Sequence, residues 1–255
     1  MGPMTSHPTP DPARGIFETM LVVDGEPVAS HEHLGRLEAS VATVYGMNLP
    51  ARAHRVVAEH AANLELGRLR LTVSPAGGGA ASELGLDVDA GELDGWPHFP
   101  EQAIALRPHQ VSGGLGCHKW ADRAALPPAA AGEAPLLVDG GEVLEAAWAN
   151  VFAVRDGAVF TPPLDGRILP GVTRATIVDL ARERGFEVVE LVLTLEELRR
   201  ADEVFLTNSI RGVEVAGSLD KSASEAPGPV TVILRDDLRT AWGLAPTSFV
   251  QYPLT

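Results

Sequence analysis

Residues 108–123 read PHQVSGGLGCHKWADR, and this stretch decides how the chain is divided. Its first half is rich in glycine and polar residues, the composition of a connection rather than of a helix or strand. Its second half sets a thiol (Cys117), an imidazole (His118), an amine (Lys119), an indole (Trp120), a carboxylate (Asp122) and a guanidinium (Arg123) side by side. A connection that ends in such a set places Lys119 in a cleft between two folded parts. Residues 108–116 are therefore expected to be an interdomain linker.

Working upstream, Ile16–Val23 (IFETMLVV) reads as a strand, Asp24-Gly25 as a turn and residues 27–29 as the return strand. Ser30 is expected to cap a helix whose apolar residues Leu34, Leu37, Val41 and Val44 recur at helical spacing, with Gly46 ending it. Pro50 opens a second helix, with Val56, Val57, His60, Ala61 and Leu64 along one side. Residues 69–74 (LRLTVS) alternate as a strand, Gly77-Gly78-Gly79 is a loop, and residues 84–88 and 103–106 are short strands. Downstream the pattern becomes a meander. Short strands at 135–138, 142–144, 150–154 and 158–160 are separated by the turn signals Asp139-Gly140-Gly141 and Asp156-Gly157. A helix over 171–184 follows, then a strand at 188–193. Thr194-Leu195-Glu196-Glu197 forms a capping box opening a short helix. A strand at 203–207 and a last helix over 230–242 complete the chain. The architecture expected is α+β in two domains: a loose Pro- and Ser-containing leader (1–14), an N-terminal α+β domain (15–107), the linker (108–116) and a C-terminal α+β domain (117–255).

At 255 residues the chain is long enough to bury a sizeable core. With 20 Lys and Arg against 34 Asp and Glu, the net charge is −14, which repels polyphosphate and anionic lipid. Nucleic-acid binding and membrane adsorption are not expected. Local pockets are exempt, because a few arginines can still gather an anion. The single cysteine, Cys117, rules out an internal disulfide framework and fits a reducing cytoplasm. No apolar run is long enough to span a bilayer. The eight His are scattered, so no metal site is expected. Gly77-Gly78-Gly79 lacks the lysine of a phosphate loop.

Four segments stand out together: HLGRL from His33 to Leu37, HKWADR from His118 to Arg123, VLEAAWANVF from Val143 to Phe152, and ILPGVTR from Ile168 to Arg174, followed by LTNSIRG from Leu206 to Gly212. Their order resembles the fold-type IV pyridoxal-phosphate enzymes, which comprise branched-chain and D-amino-acid aminotransferases and 4-amino-4-deoxychorismate lyase. The resemblance runs from about Phe17 to Ala216. It implies the two-domain fold of that family, pyridoxal 5'-phosphate as cofactor, a small-molecule substrate and a homodimer.

Residue by residue, the resemblance makes Lys119 the Schiff-base lysine and Glu145 the acid at the pyridine nitrogen. It assigns the phosphate to Arg36, to the backbone amides of Val172 and Thr173 and to Ser209. The chemistry is consistent: the cofactor needs an amine, an acid and an anion site. The start of a helix after Gly171 offers unpaired amides. Each residue also has a plain reading: Lys119 solvated, Glu145 at a strand end facing water, Thr173 a cap, Ser209 turn chemistry, Arg36 paired with Glu32.

Within the family, local detail resembles the lyase. Aminotransferases usually carry a tyrosine five residues after the lysine, where this chain has Ala124. Lys-x-x-Asp-Arg and Asn208-Ser209-Ile210-Arg211-Gly212 resemble the lyase segments, and the short N-terminus resembles lyases fused to the preceding synthase. The activity implied is conversion of 4-amino-4-deoxychorismate to 4-aminobenzoate and pyruvate, a step toward folate. The substrate carries two carboxylates, for one of which Arg211, Arg123 or, more weakly, Arg107 is a candidate, and each could equally be half of a structural ion pair. Lys119 would move the proton at the amine-bearing carbon, and Lys119 or Thr19 would return one to the leaving group. A functional link to the synthase follows from the same resemblance. Two departures stand: Pro75-Ala76-Gly77 replaces the family's Arg-Gly pair, and the usual strand before Phe17-Glu18-Thr19 is missing. Trp120 and Trp148 are expected in the core, and Cys117 as a bystander. The alternatives are an aminotransferase, for which strict need of a 2-oxo acid is the discriminating observation, and a non-catalytic homologue, which would stay colourless with cofactor.

Overall fold

A computed structural model describes residues 9–76, 83–93, 98–217, 219 and 226–245. The Gly77-Gly78-Gly79 loop and most of the expected leader lie outside the described residues. Strand β1 (Ile16–Val23) pairs with β2 (Glu26–Pro27) and with β3 (Leu66–Pro75), and β3 pairs with β4 (Leu84–Glu92), all antiparallel. The sheet order is β2-β1-β3-β4. Helices α1 (Ser30–Tyr45) and α2 (Ala53–Ala61) cover one face. The expected apolar stripe does the packing: Leu34, Leu37 and Val41 of α1 meet Met20, Leu69 and Leu71. The cap differs from expectation. Ala29, held at φ 50, precedes α1 without a side-chain bond, whereas Gly46 ends it at φ 64 as expected.

The second sheet has nine strands. They are β5 (Ile104–Gln110), β6 (Glu133–Asp139), β7 (Glu142–Ala146), β8 (Asn150–Arg155), β9 (Ala158–Thr161), β10 (Val188–Glu190), β11 (Leu193–Thr194), β12 (Glu203–Asn208) and β13 (Gly212–Gly217). Their order is β10-β9-β8-β12-β13-β5-β6-β7-β11. Helices α3 (Val172–Glu183) and α5 (Pro229–Ala241) pack on one side through Ile177, Ala181, Leu234 and Leu238. Phe152 and Phe205 stack beneath them with ring centroids 4.9 Å apart. Burying each such ring contributes roughly 2–3 kcal/mol. The short helix α4 (Leu195–Arg200) opens on the expected capping box, in which Thr194 and Glu197 exchange bonds.

Three expectations change. The strand expected at 103–106 continues to Gln110 and lies in the nine-stranded sheet, parallel to β6 and β13. The chain therefore enters the second sheet before residue 108, and the loop proper begins after β5. The strand expected at 188–193 divides into β10 and β11, which occupy opposite edges of the sheet. Strand β13, absent from the sequence reading, follows the Asn208–Gly212 turn.

The loop after β5 carries Lys119 back to the small sheet. Phe17 N donates to Lys119 O (2.9 Å) and Ala121 N donates to Gly15 O (2.9 Å). Asp11, ahead of β1, is tied to the same place, because its N donates to Asp122 Oδ2 (3.0 Å). Gly114 sits at φ 72, where a Cβ would lie 2.1 Å from Arg167 O, so only glycine fits this crossing.

Candidate active site

These backbone bonds put Lys119 at the seam of the two sheets, facing a cavity of about 380 Å³. Lys119, Glu145, Arg36, Thr19, Val172, Thr173, Ser209, Arg123 and Arg211 all line it. Of the expected site residues only Arg107 is not among the lining. It forms an ion pair with Glu133 (2.7 Å) on the neighbouring strand β6, a structural role that removes it from the site.

Lys119 is desolvated apart from the surface it shows the cavity, and this lowers its pKa from 10.5 to about 8. The Arg36 and Arg123 cations push the same way, while Glu18 and Glu145 oppose them. An amine in this range is part neutral near physiological pH, as a nucleophile or base requires. Glu145, on β7, is 6% exposed rather than facing water. Burial raises its pKa to about 8, against the opposing pull of an N–H from Leu169 (3.2 Å) and of the cations around it. An isolated buried carboxylate resists ionisation; a protonated ring nitrogen beside it would reverse that preference.

The anion end of the cavity is built where Ile168–Leu169–Pro170–Gly171 enters α3. Gly171 caps α3 without any side-chain bond, leaving the first amides unpaired by a cap. A Cβ on Gly171 would sit 2.0 Å from Asn150 Oδ1. Asn150, 4% exposed, donates in turn to Leu169 O (2.9 Å). Thr173 and Ser209 hydroxyls face each other at 3.4 Å. Thr207 adds a buried hydroxyl with no partner among the described residues. An orphaned donor, paired hydroxyls and an open helix start together fit a phosphate group.

Arg36 reaches the same end. Its Nη1 donates to Pro170 O (2.7 Å). Its partner is Glu18 rather than the expected Glu32: Nε donates to Oε1 and Nη2 to Oε2, both at 2.7 Å. Glu18 sits inside β1 at 1% exposure and also accepts from His33 Nδ1 (2.8 Å).

On the other side of Lys119, three cations surround the Phe17 ring. Arg70 lies 4.3 Å from its centroid, Lys119 5.0 Å and Arg123 6.0 Å. Arg70 lies on β3 opposite Thr19, and no motif in the local sequence marks it. Its Nε is buried with no partner, and burial lowers its pKa. Arg123 donates to Ala147 O (2.8 Å) and is likewise desolvated, with Arg70 repelling it. Neither forms an ion pair among the described residues. Arg211 differs, because it is engaged by a two-pronged pair with Glu214, with Nε 2.8 Å from Oε2. Glu214 is buried and its pKa is raised by that burial. Arg211 thus lines the cavity as half of a structural pair. Trp120 and Trp148, expected in the core, are half-buried and line the cavity. Cys117 is exposed, with its Sγ 3.8 Å from His118 Nε2.

The fold brings an amine, a buried acid and an open helix start to one cavity at the seam of two unequal sheets. Residues 15–93 and 120–216 match the amino-transferase class IV family, and the chain belongs to it. Its cofactor is pyridoxal phosphate. A 4-amino-4-deoxychorismate lyase from Pseudomonas aeruginosa has a similar structure (TM-score 0.74, 27% identity, 89% of this chain and 90% of that one). So does an aminotransferase described as hypothetical from Mycobacterium tuberculosis in its PLP-bound form (TM-score 0.77, 22% identity, 89% and 88%), a likeness of fold. Among curated relatives, a branched-chain-amino-acid aminotransferase of Escherichia coli K12 is 43% identical over 93 residues, 36% of this chain and 30% of the relative. The chain spans 41% of one such relative from Methanocaldococcus jannaschii and 38% of another from Thermotoga maritima. Among the described residues no helix is long and apolar enough to cross a membrane, and no cluster of metal-ligating side chains occurs.

Proposed function

We propose that this chain is a lyase that converts 4-amino-4-deoxychorismate to 4-aminobenzoate and pyruvate. The observation that carries the reading is the pair of desolvated arginines, Arg70 and Arg123, beside Lys119, neither of them in an ion pair among the described residues. Such a pair is a receptor for a substrate bearing two carboxylates, and it fixes the ring between them by charge-assisted bonds. Ala124 supports the same reading, since it stands where transaminases of the family usually have tyrosine.

Arg36, Ser209, Thr173, Thr207 and the α3 amides would hold the phosphate, and Glu145 the ring nitrogen. When bound, the cofactor supplies an aldehyde that condenses with amines and a ring that takes up electrons. The protein's own groups do the rest. Arg70 and Arg123 orient the substrate so that its amine-bearing carbon faces Lys119. Lys119 Nζ, lowered to about 8, takes the proton from that carbon. The proton taken up by Lys119 would return to the departing enolpyruvyl oxygen, directly or relayed through the Thr19 hydroxyl, which also lines the cavity. Trp120, Trp148 and Phe17 exclude water from the substrate ring. The same reading carries a homodimer and a link to the synthase that supplies the substrate.

Incubating the holoenzyme with 4-amino-4-deoxychorismate and no 2-oxo acid tests this. Pyruvate and 4-aminobenzoate are expected in equal amounts. The aminotransferase names of the curated relatives favour the second reading, amino transfer between an amino acid and a 2-oxo acid. Turnover that strictly requires a 2-oxo acid would establish it instead.

A further inference from the structure

We propose that Glu18 and His33 are positioning residues that aim Arg36 at the cofactor's phosphate. The inference rests on Arg36 as the phosphate cation and is indifferent to whether the reaction is elimination or transfer. Glu18 lies inside an otherwise apolar strand, IFETMLVV, where a carboxylate is costly unless it is fully bonded. Its oxygens are taken by Arg36 Nε, Arg36 Nη2 and His33 Nδ1, at 2.7, 2.7 and 2.8 Å. The contacts hold it ionised, with a pKa lowered to about 2 in spite of burial. His33, 2% exposed, is pushed toward its neutral form by that burial. Its Nδ1–H therefore donates, and its ring adds no charge.

The consequence is directional. A guanidinium on a helix has many rotamers, but this one is fixed along one edge by Glu18 and at Nη1 by Pro170 O. Pro170 directly precedes Gly171, the residue that caps α3. Nη1 and Nη2 each keep one N–H beyond these bonds, and Arg36 is itself one of the residues lining the cavity. Glu18 offsets the charge of Arg36, so what the cluster contributes is aim rather than added positive charge. Neither Glu18 nor His33 is among the residues lining the cavity. Their hydrogen bonds reach the cavity only through Arg36, while the Glu18 charge is also felt at Lys119.

The test compares affinities of the apoprotein for pyridoxal phosphate and for pyridoxal, which lacks the phosphate. Glu18→Gln is expected to weaken pyridoxal phosphate about tenfold or more, the scale of a charge-assisted bond, and to affect pyridoxal much less, through the charge felt at Lys119 alone. In an Arg36→Ala background the same change should have no further effect on the phosphate preference. His33→Asn, which keeps a donor near Nδ1, should retain the preference, whereas His33→Leu should lose several-fold. If Glu18→Gln fails to fold, the two His33 variants decide alone. Equal losses for both ligands, unchanged or tighter pyridoxal phosphate binding, or additivity with Arg36→Ala would overturn the inference. A wild-type protein that binds the two ligands equally would overturn the phosphate role of Arg36 as well, and pyruvate release would be judged separately.

Discussion

Replacing Arg70 with methionine should separate stability from activity. The methionine keeps most of the aliphatic stem and removes the guanidinium. The folded protein then no longer buries an unpartnered Nε, a relief of about 1–3 kcal/mol. It also loses the contact of the guanidinium with Phe17 at 4.3 Å, which contributes about 0.5–2 kcal/mol. The two nearly cancel, so the variant should be as stable as the parent or slightly more so. Substrate binding has no such compensation. Losing a charge-assisted fork to one carboxylate costs about 1.5–3 kcal/mol. That corresponds to roughly 10- to 150-fold in kcat/KM. The assay pairs denaturant unfolding of the apoprotein with pyruvate release by the holoenzyme. A variant that keeps kcat/KM within about twofold, or that loses activity only in proportion to lost stability, refutes the role given to Arg70.

Gly171→Ala should clash with the fixed Asn150 side chain, costing about 1 kcal/mol for its bond to Leu169 O and about 1–3 kcal/mol for overpacking. Unfolding midpoints and cofactor affinity should fall together. Glu145 has a folded pKa of about 8 against an ordinary 4.5, so the folded apoprotein binds the extra proton between these values and loses stability as pH rises from 4.5 to 8. Glu145→Gln should flatten that part of the apoprotein's stability curve, and an unchanged slope would contradict the burial assigned to the carboxyl. Thr19→Ala should lower turnover while sparing cofactor affinity; full turnover would remove its hydroxyl from proton delivery.

Much of the site was legible because it is written in short segments. Lys119, Glu145, Thr173 and Ser209 each sit in a local run, and the fold brings these runs to one cavity. The missing residues are those whose meaning depends on another element. Glu18 is a lone acid within an apolar strand, a signal that could have prompted a search for cations; His33 and Arg36, three apart on α1, supply the answer. Arg70 alternates outward in LRLTVS, and alternation cannot tell a cavity face from a solvent face. For Arg211 the sequence leaves a substrate contact and a structural ion pair open, and the choice needs the β12–β13 hairpin that places Glu214 beside it. The start of the second sheet was misplaced for a similar reason. Strand β5 finds its neighbours β6 and β13 by parallel pairing over long sequence separations, which no local composition reveals.

Borohydride reduction of the cofactor-loaded protein, followed by peptide mapping, tests the central claim most directly. The account predicts one stable pyridoxyl label, on the peptide containing Cys117-His118-Lys119-Trp120, and none after Lys119→Ala. A label on another lysine, or none in a protein that binds the cofactor, would contradict it.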